Sequence, residues 1–228
     1  MRYLSFLSLL SALFLHTSCK TSQPSAAISS PYSVGTVLPA APATSMDTYN
    51  RAMKDVRFPA TDQSHRVAVN QSIREKVIPR LQSLQGMVID ECADADGMTV
   101  ARVTLPTLQL FNPMQRELTG QGVEILRKLS ACLNTCEHTV VCIDVHCEKS
   151  TFAQRAQMTE IRAERIADAL VAAGLDRQRI VATAGCSDAL PVASNDTDEG
   201  KAKNRRAEIF VCADKRLYEM VQAGERRR

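Results

Sequence analysis

The chain has 228 residues, a formal net charge of +3 and a hydrophobic content of 45%, with few aromatic residues. This length accommodates one globular domain with extended flanks. The small positive charge, much of it in the terminal Arg226, Arg227 and Arg228, gives no basis for a nucleic-acid-binding protein.

Residues 1–19 have the pattern of an export signal. A basic start precedes an apolar run from Leu4 to Leu15, which is too short to remain in a membrane as a spanning helix. The run ends in Thr17-Ser18-Cys19, which resembles the lipobox of bacterial lipoproteins, although His16 stands where a leucine is usual. The resemblance implies acylation of Cys19 and, because Lys20 follows it, delivery to the outer membrane. The alternative is an ordinary signal that is cleaved without lipidation.

Two segments separate this signal from the main domain. Residues 20–47 are rich in Ser, Pro, Ala and Thr and lack a hydrophobic period, which predicts a flexible tether. Residues 48–85 are predicted as a separate N-terminal helical segment of unknown role, because Val69, Ile73, Val77 and Leu81 have helical spacing. Pro79 predicts a break or kink near the end of that segment.

Strand-like and helical patterns alternate through residues 86–213. The predicted strands are 87–91, 98–105, 108–112, 140–146, 180–186 and 207–212, the predicted helices are 118–133 and 152–173, and 194–200 is predicted as a polar loop. Asp96-Gly97 between the first two strands predicts a hairpin. The pattern predicts an α/β (α+β) two-layer sandwich, in which helices pack on one mixed sheet. Residues 214–228 are predicted as a basic C-terminal tail.

One charged residue of the predicted helix 152–173 falls on its apolar face. With Met158 as origin and 100° per residue, Arg162 lies at roughly +40°, inside the core-facing stripe. A guanidinium beside a core is costly unless an anionic group meets it. The nearest upstream acid in the preceding loop is Glu148. Three interpretations stay open: an internal ion pair, two charges that bind the ends of a zwitterion, or an arginine that snorkels at the edge of the stripe.

The eight cysteines and four histidines predict neither a metal site nor an enzyme. Cys142 and His146 share a strand face but are about 13 Å apart along it, too far to ligate one zinc ion. Disulfides or buried free thiols are expected instead. His146 and Cys147 are neighbours in a strand and face opposite ways, and no nucleophile or phosphate motif occurs, so no catalytic residue and no cofactor is predicted.

Four sequence blocks carry a family resemblance. These are LFNPMQREL, VCIDVHCEKS, MTEIRAERIADAL and GCSDALPVASNDTDEGKAKNRRAEI. In the last block a set of residues stands in family order and spacing: Gly185, Pro191, Asn195, Gly200, Asn204, Arg205 and Arg206. Residues from about Gly86 to Cys212 therefore resemble the OmpA C-terminal-like, or peptidoglycan-associated lipoprotein, family.

The resemblance implies a binding site for diaminopimelate. In the family a loop aspartate takes the ammonium group of this amino acid of the peptidoglycan stem peptide, and a helix arginine takes its carboxylate. The positions that match are Glu148 for the aspartate and Arg162 for the arginine. The further ligand-binding residues implied are His146, Thr159, Asn204 and Arg205, and the alternative for the last two is that they tie the last strand to its loop.

The function implied is non-enzymatic. The chain is expected to be an outer-membrane lipoprotein that faces the periplasm, binds peptidoglycan without cutting it, and anchors the outer membrane or an envelope or secretion complex to the wall. The alternative is an OmpA-like structural subunit that has lost wall binding. Departures from the family motivate it: Glu148 for aspartate, Val145 for the loop glycine, Cys147 for threonine and Arg155 for asparagine.

Overall fold

The computed structural model describes residues 44–59, 61–150 and 154–225. The predicted signal with Cys19, the tether up to residue 43 and the terminal arginines lie outside the described residues. Within the described ranges, every helix is too short or too polar to cross a membrane.

The described residues form one mixed sheet, as the sequence predicts. Its strands are β1 (Val88–Ala93), β2 (Thr99–Pro106), β3 (Thr139–His146), β4 (Ile180–Ser187) and β5 (Arg206–Ala213). Their spatial order is β1-β2-β5-β3-β4. Neighbouring strands are antiparallel except β3 and β4, which are parallel and are joined through a helix. The predicted hairpin of β1 and β2 is confirmed.

Helices pack on this sheet and bury its apolar side chains. They are α1 (Ser45–Met53), α2 (Gln63–Ser72), α3 (Ile78–Gln82), α4 (Thr107–Leu110), α5 (Gly120–Asn134), α6 (Gln154–Ala172), α7 (Asp198–Asn204) and α8 (Lys215–Glu225). A π-helical turn at Ile73–Val77 joins α2 to α3, and Pro79 lies in the first turn of α3, where proline costs little. The side chain of Thr119 caps α5, and Gly174 ends α6 with a φ of 98°.

The N-terminal helices belong to the same hydrophobic core as the sheet. Tyr49 of α1, Ile73 of the π turn and Leu81 of α3 are each at most 1% exposed. The Tyr49 hydroxyl also donates a hydrogen bond of 2.8 Å to the carbonyl of Ala213 at the end of β5. The predicted helical segment is therefore integrated with the domain that follows it.

Several boundaries differ from the predictions for local reasons. Helix α1 begins within the last residues of the predicted tether, because Thr44 and Asp47 form a capping box. Helix α8 occupies most of the predicted tail, because Leu217 and Tyr218 are buried. The predicted polar loop 194–200 runs into α7, whose first turn is capped by Thr197.

The strand predicted at 108–112 is wrong. Helix α4 takes its place, and Phe111 forms only an isolated bridge with Leu118. The amide and hydroxyl of Thr107 both donate to the carbonyl of Arg205, at 2.9 and 3.3 Å. These bonds turn the chain away from the sheet.

Helix α6 lies unusually close to β4 at Gly185. A Cβ atom at this position would lie 2.3 Å from the backbone nitrogen of Glu160. Gly185→Ala is therefore expected to lower the free energy of unfolding by about 2 kcal/mol, because backbone must move to accept the methyl group. Gly120→Ala is the control, since a Cβ atom there meets nothing within 4 Å. Urea unfolding measures both, and equal stability of the two variants would contradict this packing.

Candidate functional site

A cavity of about 260 Å³ lies beside the end of β3, between α4, α6 and the loop that follows β3. Five of the six predicted ligand-binding residues line it, namely His146, Glu148, Thr159, Arg162 and Arg205. The fold thus brings together residues from two strand ends, a loop and a helix that are up to 59 positions apart in sequence.

Arg162 is held against the wall of this cavity by backbone carbonyls. Its Nε and Nη2 donate to the carbonyl of Gln115 at 3.0 and 2.8 Å, and Nη2 also donates to the carbonyl of Asn112 at 3.1 Å. The guanidinium carbon lies 4.8 Å from the centre of the Phe111 ring, which adds a cation–π contact. None of these three hydrogen bonds uses Nη1. The structure thus explains how a charged residue is accommodated on the apolar face of α6.

The electrostatics of Arg162 reflect both its burial and its neighbours. Burial lowers its pKa, while the nearby charges of Glu148 and Cys147 act to raise it. A guanidinium stays charged under such a shift. Arg162 therefore presents a fixed, partly desolvated positive charge to the cavity.

Glu148 is a nearly buried acid that also lines the cavity, with its side chain 12% exposed. Its Oε1 lies 3.4 Å from Nη1 of Arg205. The loop that carries it is fastened to the end of β4, because the amide of Cys147 donates to the carbonyl of Ser187 at 2.8 Å. On the other side of Glu148, the amide of Lys149 donates to the side chain of Asn195 at 2.9 Å. The acid is therefore positioned by backbone contacts on both sides.

His146 and Thr159 are buried residues that support the site. The Thr159 hydroxyl accepts a hydrogen bond of 3.3 Å from the amide of Ser187, which has a positive φ of 50°. Nε2 of His146 lies 3.1 Å from Glu208 on β5. Burial would raise the pKa of Glu208, but hydrogen bonds from His146 and Arg206 lower it to about 2. An ionised carboxylate thus stands behind His146.

Asn204 lies away from the cavity lining. It is fully buried, and its side-chain oxygen accepts from the amides of Val192 and Ala193 at 2.8 and 3.0 Å. Its amide nitrogen donates to the carbonyl of Ala193 and to the side chain of Asn195. Asn204 therefore fixes the loop before α7, as the alternative interpretation of the sequence had it, whereas Arg205 reaches Glu148.

The sequence-based prediction missed the apolar part of the lining. Six further residues form it together with the backbone around them: Thr107, Leu108, Pro113, Met114, Cys147 and Met158. Met114 has a φ of 59° and is 62% exposed, which is unusual for a large apolar side chain. The one sequence feature that pointed to this part of the lining was the Asn112-Pro113 turn within the block LFNPMQREL.

This arrangement is suited to an extended zwitterion. It combines an acid, two guanidinium groups and an apolar wall within one cavity. A ligand with an ammonium group, a carboxylate and a chain of methylene groups would match all three features.

Comparison with known sequences identifies the domain. Residues 110–205 match the OmpA family. The chain is 49% identical over 55 residues to "Probable lipoprotein YiaD" of Escherichia coli (strain K12). The aligned segment covers 24% of this chain and 25% of that protein. It is 38% identical over 89 residues to "Peptidoglycan-binding protein ArfA" of Mycobacterium tuberculosis (strain ATCC 25618 / H37Rv), over 39% of this chain and 27% of that one. The chain thus spans about a quarter of the length of each relative.

Solved structures agree on the fold. A MotB-like protein from Desulfovibrio vulgaris superposes with a TM-score of 0.54 at 20% identity, over 66% of this chain and 98% of that chain. The periplasmic domain of Helicobacter pylori MotB gives a TM-score of 0.50 at 16% identity, over 61% and 92%. At these identities the likeness concerns the fold alone. This fold agrees with the sequence match of residues 110–205 to the OmpA family.

Proposed function

We propose that the cavity binds peptidoglycan non-covalently, through the diaminopimelate of the stem peptide. The observation that carries this proposal is that Glu148 and Arg162, of opposite charge, line one cavity together with apolar side chains. In this arrangement Glu148 accepts the ammonium group, and Arg162 donates to the carboxylate through Nη1. Charge-assisted contacts of this kind are short and specific.

The charged groups and the methylene chain of the ligand contact different parts of the lining. The methylene groups of diaminopimelate pack against Met158 and Met114, which lie in the lining. Arg205 shares Glu148 with the ligand, because its Nη1 lies 3.4 Å from Oε1 of the acid. The relative ArfA is named as a peptidoglycan-binding protein, which supports the same ligand class.

The proposal extends to a role as an envelope anchor. Acyl chains on Cys19 hold the protein in the outer membrane, and the domain faces the periplasm, where it fastens the membrane or an envelope or secretion complex to the wall. The name of the relative YiaD as a lipoprotein supports this part. Two or three acyl chains give stable anchoring where one does not. Incorporation of radiolabelled palmitate by the wild type, but not by Cys19→Ala, tests it, and equal labelling would refute it.

Co-sedimentation of the full chain with purified sacculi tests the wall-binding part. We expect the protein to pellet with sacculi, to be released by free diaminopimelate, and to leave no soluble muropeptides, because it binds the wall without cutting it. Failure of the intact wild type to pellet with sacculi would refute wall binding.

Glu148→Gln is expected to weaken sacculus binding about tenfold. The glutamine keeps the shape of the side chain but removes the charge that meets the ammonium group, which is worth about 1.5 kcal/mol or more. Glu164→Gln is the matched control, because Glu164 is an exposed acid on α6 outside the cavity lining. Sedimentation at a series of protein concentrations measures the dissociation constants. The same affinity in Glu148→Gln as in Glu164→Gln would exclude the acid from the site.

A second candidate is a structural subunit of an envelope assembly without wall binding. It is favoured by the contacts that the charged residues already make, since Arg162 holds two backbone carbonyls and Glu148 lies beside Arg205. This candidate predicts no binding of the wild type to sacculi and its recovery in a stable complex with other envelope proteins.

A further inference from the structure

Three side chains that commonly ligate metals meet on the sheet, and only one of them, His146, also lines the cavity. They are Asp144 and His146 of β3 and Cys186 of β4, and one potential ligand atom of each lies within 4.8 Å of the others. Each residue is at most 2% exposed. A buried cluster of this composition requires a physical explanation, because buried polar groups are costly without partners.

The strand register places these residues on one face. Asp144 and His146 are two residues apart, so their side chains point to the same side of β3. Asp144 pairs with Ala184 in the parallel ladder, and Cys186 lies two residues beyond Ala184. Gly185, between them, faces α6 at close range. The cluster therefore lies on the face of the sheet opposite α6.

His146 has one nitrogen that hydrogen bonds and one that does not. Nε2 is bonded to Glu208, a carboxylate that also contacts Arg206 at 3.0 Å and Arg102 at 3.5 Å. Glu208 is thus an acceptor, which makes Nε2 the donor and leaves Nδ1 as the nitrogen that can offer a lone pair to a metal ion. Nδ1 is buried and has no hydrogen-bond partner among the described residues. Such an unsatisfied buried atom destabilises the fold unless a ligand or a metal ion meets it.

Glu208 and Cys186 lie on different sides of His146. Glu208 lies on β5, on one side of β3, and Cys186 lies on β4, on the other side. A histidine that donates one N–H to a carboxylate and offers its other nitrogen to a metal is the usual arrangement in metal sites, because the carboxylate fixes the tautomer. Glu208 and His146 have this arrangement.

The remaining ligands supply the charge that a divalent cation needs. Oδ1 of Asp144 accepts a hydrogen bond of 2.8 Å from the amide of Ser45, which leaves Oδ2 outside this bond. A carboxylate and a thiolate together neutralise a 2+ ion. A set of one sulfur, one nitrogen and one oxygen ligand suits zinc, which accepts all three in tetrahedral sites.

We propose that Asp144, His146 through Nδ1, and Cys186 bind one Zn²⁺ ion beneath the first turn of α1. Zinc-bound ligand atoms lie about 3.5 Å apart, so small side-chain movements close the cluster around the ion. The fourth position is left to water. This site does not rest on the proposed wall binding, because Asp144 and Cys186 do not line the cavity.

The test is titration of the full chain, purified in detergent and kept reduced, with ZnCl₂. Wild type is expected to bind one Zn²⁺ per chain, and CoCl₂ is expected to give the near-ultraviolet absorption of a cobalt–thiolate bond. Cys186→Ala and Asp144→Asn are each expected to weaken binding at least tenfold and to lose the rise in melting temperature that zinc gives the wild type. Cys142→Ala is the matched control, since Cys142 is a buried thiol on the same face of β3 and is not part of the cluster.

Each outcome decides the proposal. One zinc per chain that is lost in Cys186→Ala and kept in Cys142→Ala supports it. Absence of stoichiometric binding to the wild type overturns it, as does binding that Cys186→Ala retains, because zinc would then lie on other thiols. If Cys186→Ala does not fold, circular dichroism reveals this, and retention of zinc by Asp144→Asn overturns the proposal in the same way.

Discussion

Arg162→Ala is expected to weaken binding of the full chain to sacculi by about 10- to 100-fold. Hydrogen bonds to charged groups contribute about 1.5–3 kcal/mol, and this substitution removes the donor for the ligand carboxylate. It also removes the three bonds to the carbonyls of Asn112 and Gln115, so the adjacent turn loses support. Sedimentation with sacculi over a range of protein concentrations measures the change.

Two further variants separate these effects. Arg165→Ala removes a guanidinium from the next turn of the same helix, where the side chain is 46% exposed and pairs with Glu117, and is expected to leave binding unchanged. Asn112→Ala loosens the turn by removing the side-chain bond to Gln115, at 3.1 Å, but keeps the charge of Arg162. A loss of binding in Asn112→Ala as large as in Arg162→Ala would show that Arg162 acts only through the turn.

Glu208→Gln is expected to lower the free energy of unfolding at neutral pH by about 3 kcal/mol. The carboxylate is nearly buried and meets His146, Arg206 and Arg102, so its removal leaves the buried guanidinium of Arg206 without a carboxylate partner. Glu219→Gln is the control, because Glu219 is 59% exposed and pairs only across one helical turn with Lys215. Urea denaturation at pH 7 measures both variants, and similar stability would contradict this role of Glu208.

The difference in stability between the wild type and Glu208→Gln is expected to depend on pH. The pKa of Glu208 is about 2 in the folded protein, against about 4.3 in an unfolded chain. Its stabilising contribution is therefore complete above about pH 4.5 and is lost as the pH falls toward 2. The difference in stability between the wild type and Glu208→Gln is expected to shrink over this range. Burial raises the pKa of Asp144 and the charge of Glu208 adds to this shift, so Asp144 gives a contribution of opposite sign that is smaller in Glu208→Gln.

The sequence predicted those parts of the fold that depend on local patterns. The hairpin of β1 and β2 follows from Asp-Gly between two apolar runs, and α5 and α6 follow from helical periods with capping residues. The predicted sandwich with one mixed sheet is also confirmed, since it follows from the alternation of strand and helix patterns along the chain. Helix α8 was missed because its abundant charges hid the helical spacing of Leu217, Tyr218 and Val221.

The site was predictable only in part. Arg162 stood out because a charge on an apolar helix face is rare, and Glu148 because it was the nearest acid upstream. Two features depend on contacts between distant residues and carry no local signal. Helix α4 forms where Thr107 bonds to Arg205, 98 positions away, and Cys186 meets His146 only because β4 pairs with β3.

The central claim is that one cavity recognises both charged groups at the end of the diaminopimelate side chain, the ammonium group and the carboxylate. Isothermal titration of the full chain with a stem tripeptide that ends in diaminopimelate, and with the same tripeptide carrying lysine instead, tests it most directly. Lysine keeps the ammonium group and the methylene groups but lacks the second carboxylate, which Arg162 binds in this account. We predict binding of the diaminopimelate peptide and at least tenfold weaker binding of the lysine peptide. Equal affinity for the two peptides, or binding of neither, would contradict the account.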